Sequence, residues 1–243
     1  MDGVKIILLA AAFLSLAGLV GCRDRDEDEE AAPSSGAATA EKPAPLQGAG
    51  QLAIYNFDSD PVGQLPLKFH SARTGQGSES KWAVTADPSA PSKPNVVAQT
   101  STDKTDYRFP LLIADEGSFR DLDISVKFKA VSGRVDQAAG LVFRLKDANN
   151  YYIVRANALE ANYRLYHVVN GRRVQFAGAN FEVSSGAWHE LRVEAVGNKF
   201  TCYFDGAKKI EATDETFKDA GKVGLWTKAD SVTYFDDLKV TAK

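Results

Sequence analysis

The sequence predicts an all-β sandwich or jelly roll over residues 51–243, on three observations. Apolar residues there recur with period two: Asp123-Ile124-Ser125-Val126-Lys127-Phe128-Lys129 alternates, and so does His189-Glu190-Leu191-Arg192-Val193-Glu194-Ala195-Val196. Such alternation describes a strand with one buried face. Turn signals separate the runs at short intervals: Asp147-Ala148-Asn149-Asn150, Asn170-Gly171, Gly197-Asn198 and Asp205-Gly206. Asn-Gly and Asp-Gly supply the positive φ angles of tight hairpins. No stretch of this region sustains a helical apolar stripe. Many hairpin-linked strands in one chain of this length close into a single sandwich.

The chain begins differently. Met1 to Lys5 carries one Lys, Ile6 to Gly18 is an unbroken apolar run, and Leu19-Val20-Gly21-Cys22 closes it. A charged start, an apolar stretch and a small residue at the cut make a secretory leader. The Cys after Gly21 resembles a bacterial lipobox, so residues 1–21 are expected to leave as a lipoprotein signal peptide. Cys22 is then the lipidation site and the link to the membrane. A membrane-spanning helix reads less well, because the run is shorter than the roughly 20 residues a span needs. Arg23 is not the Asp that retains a lipoprotein at an inner membrane, so the expected place is the bacterial cell envelope, at the outer membrane or in the periplasm. Arg23 to Glu30 is charged and mostly acidic, and Ala31 to Gly50 is Ala, Pro, Ser and Gly with almost no large apolar side chain. Residues 22–50 therefore read as a lipidated, flexible tether that cannot bury enough surface to order itself.

Composition removes some functions. The net charge is −3 and the basic residues are scattered, so there is no footprint for nucleic acid. Of two Cys residues, Cys22 goes to lipid, leaving Cys202 without a disulfide partner. In Phe200-Thr201-Cys202-Tyr203-Phe204 it alternates with aromatics, as a small core residue does.

Residues 139–169 read as three consecutive strands. Val142, Arg144 and Lys146 share a face of the first; Tyr151, Ile153, Arg155 and Asn157 share one of the second; Asn162, Arg164 and Tyr166 share one of the third. Sugar sites pair aromatic faces with planar polar side chains. Arg144, Tyr151, Arg155 and Asn157, with Trp226 as a stacking platform, are accordingly the candidate carbohydrate-binding residues. The alternative is that these faces are simply solvated. Trp188, which starts a strand beside a Gly turn, is expected to anchor the core.

Three stretches carry a family resemblance. Trp188-His189-Glu190-Leu191-Arg192-Val193-Glu194, followed by Tyr203-Phe204-Asp205-Gly206, resembles a laminin G-like strand pair. Gly221-Lys222-Val223-Gly224-Leu225-Trp226-Thr227 leads to Tyr234-Phe235-Asp236-Asp237-Leu238-Lys239-Val240. Ala139-Gly140-Leu141-Val142-Phe143-Arg144 pairs with Asn149-Asn150-Tyr151-Tyr152-Ile153-Val154-Arg155. Together, over residues 53–243, they are similar to concanavalin A-like jelly rolls, and among these to bacterial proteins of the 3-keto-disaccharide hydrolase family, related to glycoside hydrolase family 16. The resemblance implies a jelly-roll fold and a carbohydrate ligand or glycoside substrate.

Catalytic residues do not follow from it. Retaining glycosidases need two carboxyl groups about 5 Å apart, which family 16 sets on one strand as E-x-D-x-x-E. Asp214-Glu215-Thr216-Phe217-Lys218-Asp219 has the wrong order, and Glu190 and Glu194 read as a solvated strand face. His70, His167 and His189 are too dispersed for a metal motif, and no nucleophile elbow or phosphate-binding Gly loop is present. No catalytic residue is assigned; a hydrolase with a less recognisable carboxylate set and a non-catalytic scaffold remain the alternatives. One cofactor is a candidate. Tyr55-Asn56-Phe57-Asp58 opens the first strand and Phe235-Asp236-Asp237 lies in the last. Carbohydrate-binding sandwiches with acids so placed hold calcium between them, so Asp58, Asp236 and Asp237 are candidate ligands of a structural calcium.

Overall fold

The computed structural model describes residues 50–243. The leader over 1–21, the lipidation site Cys22 and the tether before Gly50 lie outside the described residues. The elements in chain order are β1 (Leu52–Tyr55), β2 (Phe69–Gly75), β3 (Trp82–Ala86), β4 (Asn95–Gln99), β5 (Arg108–Ala114), β6 (Leu122–Ser132), β7 (Ala138–Asp147) and β8 (Asn150–Asn157). They continue with β9 (Asn162–Val169), β10 (Arg172–Asn180), β11 (Trp188–Val196), β12 (Lys199–Phe204), β13 (Ala207–Thr213), β14 (Lys222–Trp226) and β15 (Val232–Ala242). No helix interrupts them among the described residues.

The strands form two antiparallel sheets. One has eight strands, ordered β13-β12-β11-β6-β15-β4-β3, with β1 also paired to β15; the other has seven, ordered β10-β9-β8-β7-β14-β5-β2. The first and last strands are neighbours, with Leu52 opposite Thr241 and Tyr55 opposite Leu238. A bulge between Asp236 and Lys239 divides β15, so its first half serves β4 and its second half serves β1. The hairpin turns follow their residues: Asn170-Gly171 and Asp205-Gly206 both run through positive φ at each position, which Asn, Asp and Gly tolerate best.

The core lies between the sheets. Period-two alternation sends Ile124, Val126, Phe128, Leu191, Val193, Phe200, Cys202 and Phe204 inward from one sheet. Leu141, Phe143, Tyr152, Val154, Tyr163, Leu165 and Leu225 meet them from the other. Cys202 is buried and free, and burial pushes its thiol pKa up. Two expectations are corrected here. Trp188 is not a core anchor: with Glu190, Arg192 and Glu194 it faces outward, its ring lies under Lys129 Nζ at 5.1 Å, and its Nε1 donates to Ser89 Oγ. Its strand neighbours Leu191 and Val193 take the inward positions, and alternation excludes Trp188 from them. Arg144 does not share a face with Val142. It has φ 47°, and the β7–β8 register shifts after Phe143. One extra residue in a strand turns the following side chains over.

A second buried apolar cluster covers the other face of the seven-stranded sheet: Phe109, Leu111, Ile113, Val142, Tyr151, Ile153, Tyr166, Val168 and Trp226. That sheet is strongly curled. The Tyr107 hydroxyl, at the start of β5, donates to Gly171 O in the β9–β10 turn at 2.5 Å. A flat sheet would hold β5 and β9 about 19 Å apart at its usual strand spacing. The curl makes the face that bears the second cluster concave.

Candidate functional site

The concave face carries the polar residues that alternation aims at it. On β8 these are Tyr151, Arg155 and Asn157, on β9 Asn162, Arg164 and Tyr166, and on β14 Trp226. Arg155 and Trp226 flank Gly140 on the two sides of β7. A Cβ on Gly140 would come within 2.9 Å of Ile153 Cδ1, so glycine leaves the floor low between the two large side chains. Four of the five sequence-predicted binding residues are thus on one face, but Tyr151, Asn157 and Trp226 are fully buried, so the expected stacking platform is a correction: the Trp226 ring packs in the second core cluster under Arg173. Arg144, the fifth, is a correction. Its guanidinium donates to Arg120 O, Phe217 O and Gly197 O and reaches Asp121 Oδ1, lining a separate hollow of about 330 Å³ at the end of the sandwich. There it ties three loops together.

The face has an aromatic part and a charged part. In the aromatic part Trp226 and Phe109 stack with centroids 5.2 Å apart, and the Trp226 Nε1 proton goes to the Tyr151 hydroxyl at 3.3 Å. Burial pushes Tyr151 up to about 12, so it stays a neutral phenol at physiological pH. In the charged part Arg155 donates from Nη1 to Glu160 at 2.9 Å and from Nη2 to the Tyr166 hydroxyl at 2.8 Å. Burial opposes charge on Arg155, but Tyr166 and Glu160 outweigh it and its pKa is raised. Burial also works against the Glu160 carboxylate, and Asn162 and Arg155 reverse that effect. Beside them Asn157 donates to Asp136 at 2.6 Å, and Lys228 Nζ lies 3.0 Å from the other Asp136 oxygen. Asp136 is fully buried, and that burial raises its pKa in spite of Lys228. Lys228 also reaches Asp106.

Arg173, on β10, joins this face without having been singled out by the sequence pattern. Its guanidinium lies over three rings, 4.7 Å from Phe109, 4.6 Å from Tyr166 and 5.5 Å from Trp226. The signal that locates it is the Asn170-Gly171 turn, which fixes Arg173 opposite Val168, two residues from Tyr166.

With Asp136 Oδ2 held by Lys228, five buried side-chain polar atoms lack a partner among the described residues: Arg155 Nε, Asn162 Oδ1, Arg173 Nη1, Trp82 Nε1 and Thr227 Oγ1. The first three stand on the concave face. Buried polar groups are normally paired, so this is an unusual concentration of unspent hydrogen-bonding capacity beside aromatic rings.

The residues proposed for calcium do not fit a cation. Both oxygens of Asp236 accept donors of the protein itself: Ser92 N at 2.8 Å, Ser92 Oγ at 2.9 Å and Asp237 N at 2.7 Å. Asp58 Oδ1 accepts Asn95 N at 3.0 Å. No group of three or more His, Cys, Asp or Glu side chains at metal-holding spacing exists among the described residues. Asp58 and Asp236 are positioned to satisfy backbone amides at the β15 bulge and the loop before β4, and Asp237 supplies one of those amides.

The fold has solved counterparts. The chain is similar to the carbohydrate-binding module CBM66 from Bacillus subtilis, at 20% identity and TM-score 0.58, over 72% of this chain and 96% of that one. It is similar to the protein of unknown function SO2946 from Shewanella oneidensis MR-1, at 12% identity and TM-score 0.54, over 83% and 90%. A GH43 protein, BlXynB from Bacillus licheniformis, matches at 16% identity and TM-score 0.52, over 78% of this chain and 39% of its own length. Comparison with curated proteins gives no match. At the level of sequence the model of one family covers residues 71–241, from β2 to the end of β15, taking in both sheets and every residue of the concave face described above. On that match the chain belongs to the 3-keto-alpha-glucoside-1,2-lyase-like domain family.

Proposed function

We propose that the concave face of the seven-stranded sheet binds carbohydrate, and that the domain is held at the bacterial cell envelope by a lipid on Cys22. One observation carries the glycan reading: three unpaired buried polar atoms, Arg155 Nε, Asn162 Oδ1 and Arg173 Nη1, cluster on a single face over the buried rings of Phe109, Tyr151, Tyr166 and Trp226. Each unpaired buried polar atom costs about 1–3 kcal/mol. Sugar hydroxyls, which donate and accept, would recover that cost. The family to which the chain belongs and the CBM66-like fold support the same chemistry.

The test is calorimetric titration of the mature lipoprotein in detergent with a panel of oligosaccharides. Arg155→Lys and Tyr166→Phe should each weaken binding by about tenfold, the effect of losing one hydrogen bond to a charged group. Melting curves would confirm that both variants fold. An unbound panel would overturn the glycan reading and leave an envelope scaffold. The family and the half-exposed carboxylate of Glu160 on this face also favour cleavage of a keto-disaccharide or related glycoside. Turnover that disappears in Glu160→Gln would establish that second reading.

A further inference from the structure

We infer that the glycan this face takes is acidic, with Arg173 receiving the carboxylate of a hexuronic acid unit; the inference rests on the glycan reading above. Cations on the concave face fall into two groups. Arg155 is matched by Glu160, and Lys228 is matched twice, by Asp106 and Asp136. Arg164 and Arg173 are not matched. Arg164 donates only to neutral acceptors, Tyr163 O, Ala179 O and Asn180 Oδ1. Arg173 has no carboxylate in ion-pair range among the described residues, and its buried Nη1 has no acceptor.

The sequence around them explains the imbalance. From Ala161 to Phe181, the whole β9–β10 hairpin, there is no Asp or Glu, while Arg164, Arg172 and Arg173 all occur. This hairpin is the edge of the concave sheet in a chain whose net charge is −3, so the cationic surplus is local. Arg172 lies at the rim of the curled end, beside Tyr107, Asn149 and Gly171.

Geometry gives the surplus a direction. The Arg173 guanidinium packs against Phe109, Tyr166 and Trp226, neutral partners that leave its charge without a counter-ion. The N–H donors of a guanidinium match a planar carboxylate two at a time. A neutral sugar would take some of those donors and leave the charge uncompensated. A hexuronate supplies the missing countercharge.

The experiment compares three ligands on the intact mature protein: a galacturonate oligomer, its methyl ester of equal length, and a sulfated neutral oligomer. The acid should bind about tenfold tighter than the ester, the advantage of a charge-assisted bidentate pair. That preference should shrink as sodium chloride is raised, a readout that needs no variant. Arg173→Gln should erase the preference by weakening the acid about tenfold more than the ester, and Arg173→Lys should recover little of it, because the planar fork is lost. Equal binding of acid and ester would overturn the inference and leave the glycan reading intact. Tighter binding of the sulfated oligomer than of the acid would overturn the hexuronate assignment. Absence of binding to all three and to neutral sugars would remove both readings.

Discussion

Thr74 Oγ1 lies 2.8 Å from the Tyr151 hydroxyl, although β2 and β8 stand four strand intervals apart in their sheet. Thr74 Oγ1 also donates to Ala148 O. A hydroxyl has one proton, so the proton shared with Tyr151 belongs to the tyrosine. The chain of donors therefore runs from Trp226 Nε1 to Tyr151, to Thr74, to the Ala148 carbonyl. It pins the curl from across the sheet and holds the two rings of the concave floor in place.

Removing one link should be felt. Thr74→Val keeps the shape of the side chain and deletes its hydroxyl, leaving a buried phenol without its acceptor. The expected loss is about 1–3 kcal/mol of stability, read as a lower denaturant midpoint with an unchanged slope. Wild-type stability in this variant would show that the curl does not depend on the relay.

Asp236 should give the protein an unusual acid response. Burial raises its pKa from 3.8 to about 6, against the opposing hydrogen bonds from Ser92 and Asp237. The folded state thus holds a proton that the unfolded state releases between those values. Ionised Asp236 destabilises the fold by roughly 3 kcal/mol at neutral pH, since each tenfold change in proton affinity is worth about 1.4 kcal/mol. The penalty fades as pH falls through 6 and is gone near 4. Stability of Asp236→Asn minus wild type, measured by urea unfolding, should therefore be largest at pH 7 and decline towards pH 4. A flat difference would show that Asp236 is ionised without penalty.

Much of the concave face is legible in the sequence because alternation is a local property. Tyr151, Arg155 and Asn157 sit at steps of two on a regular strand, and register carries them to one face with Trp226. Arg144 sits at the same spacing from Val142, but a bulge follows Phe143, and nothing in Phe143-Arg144-Leu145 announces an inserted residue. Trp188 misleads for a related reason. Its size argues for burial, while its parity, set by Leu191 and Val193, argues for the outside, and parity wins in a registered strand. Arg173 is silent in the sequence because its partners, Phe109 and Trp226, are distant along the chain. Only the curl of the sheet brings them under its guanidinium. The acids of the proposed calcium site do fall near neighbouring strands, but backbone amides have first claim on their oxygens.

Cys202 should act as packing. Cys202→Ala leaves a small cavity among core aromatics and should cost about 1–2 kcal/mol without changing oligosaccharide affinity. With the thiol buried and its pKa pushed up, a thiol reagent should modify it only as the protein unfolds. Rapid labelling of the native protein would show that Cys202 is accessible.

Lipidation is testable in the producing cell. Cys22→Ser should abolish incorporation of labelled palmitate and leave unprocessed precursor, whereas the wild-type protein should be labelled and partition with membranes. Equal labelling of both forms would overturn anchoring through Cys22.

The closure of the fold has a mechanical side. Gly50 N bonds Ala242 O, and Ala242 N bonds Gln51 O, so the described chain enters and leaves at one corner, on the eight-stranded sheet. Force applied through residue 50 would be loaded into β1 and its four registered pairs with β15. The strands of the opposite layer lie off that load path. Under such a load the hem at β1 would fray before the opposite layer was strained.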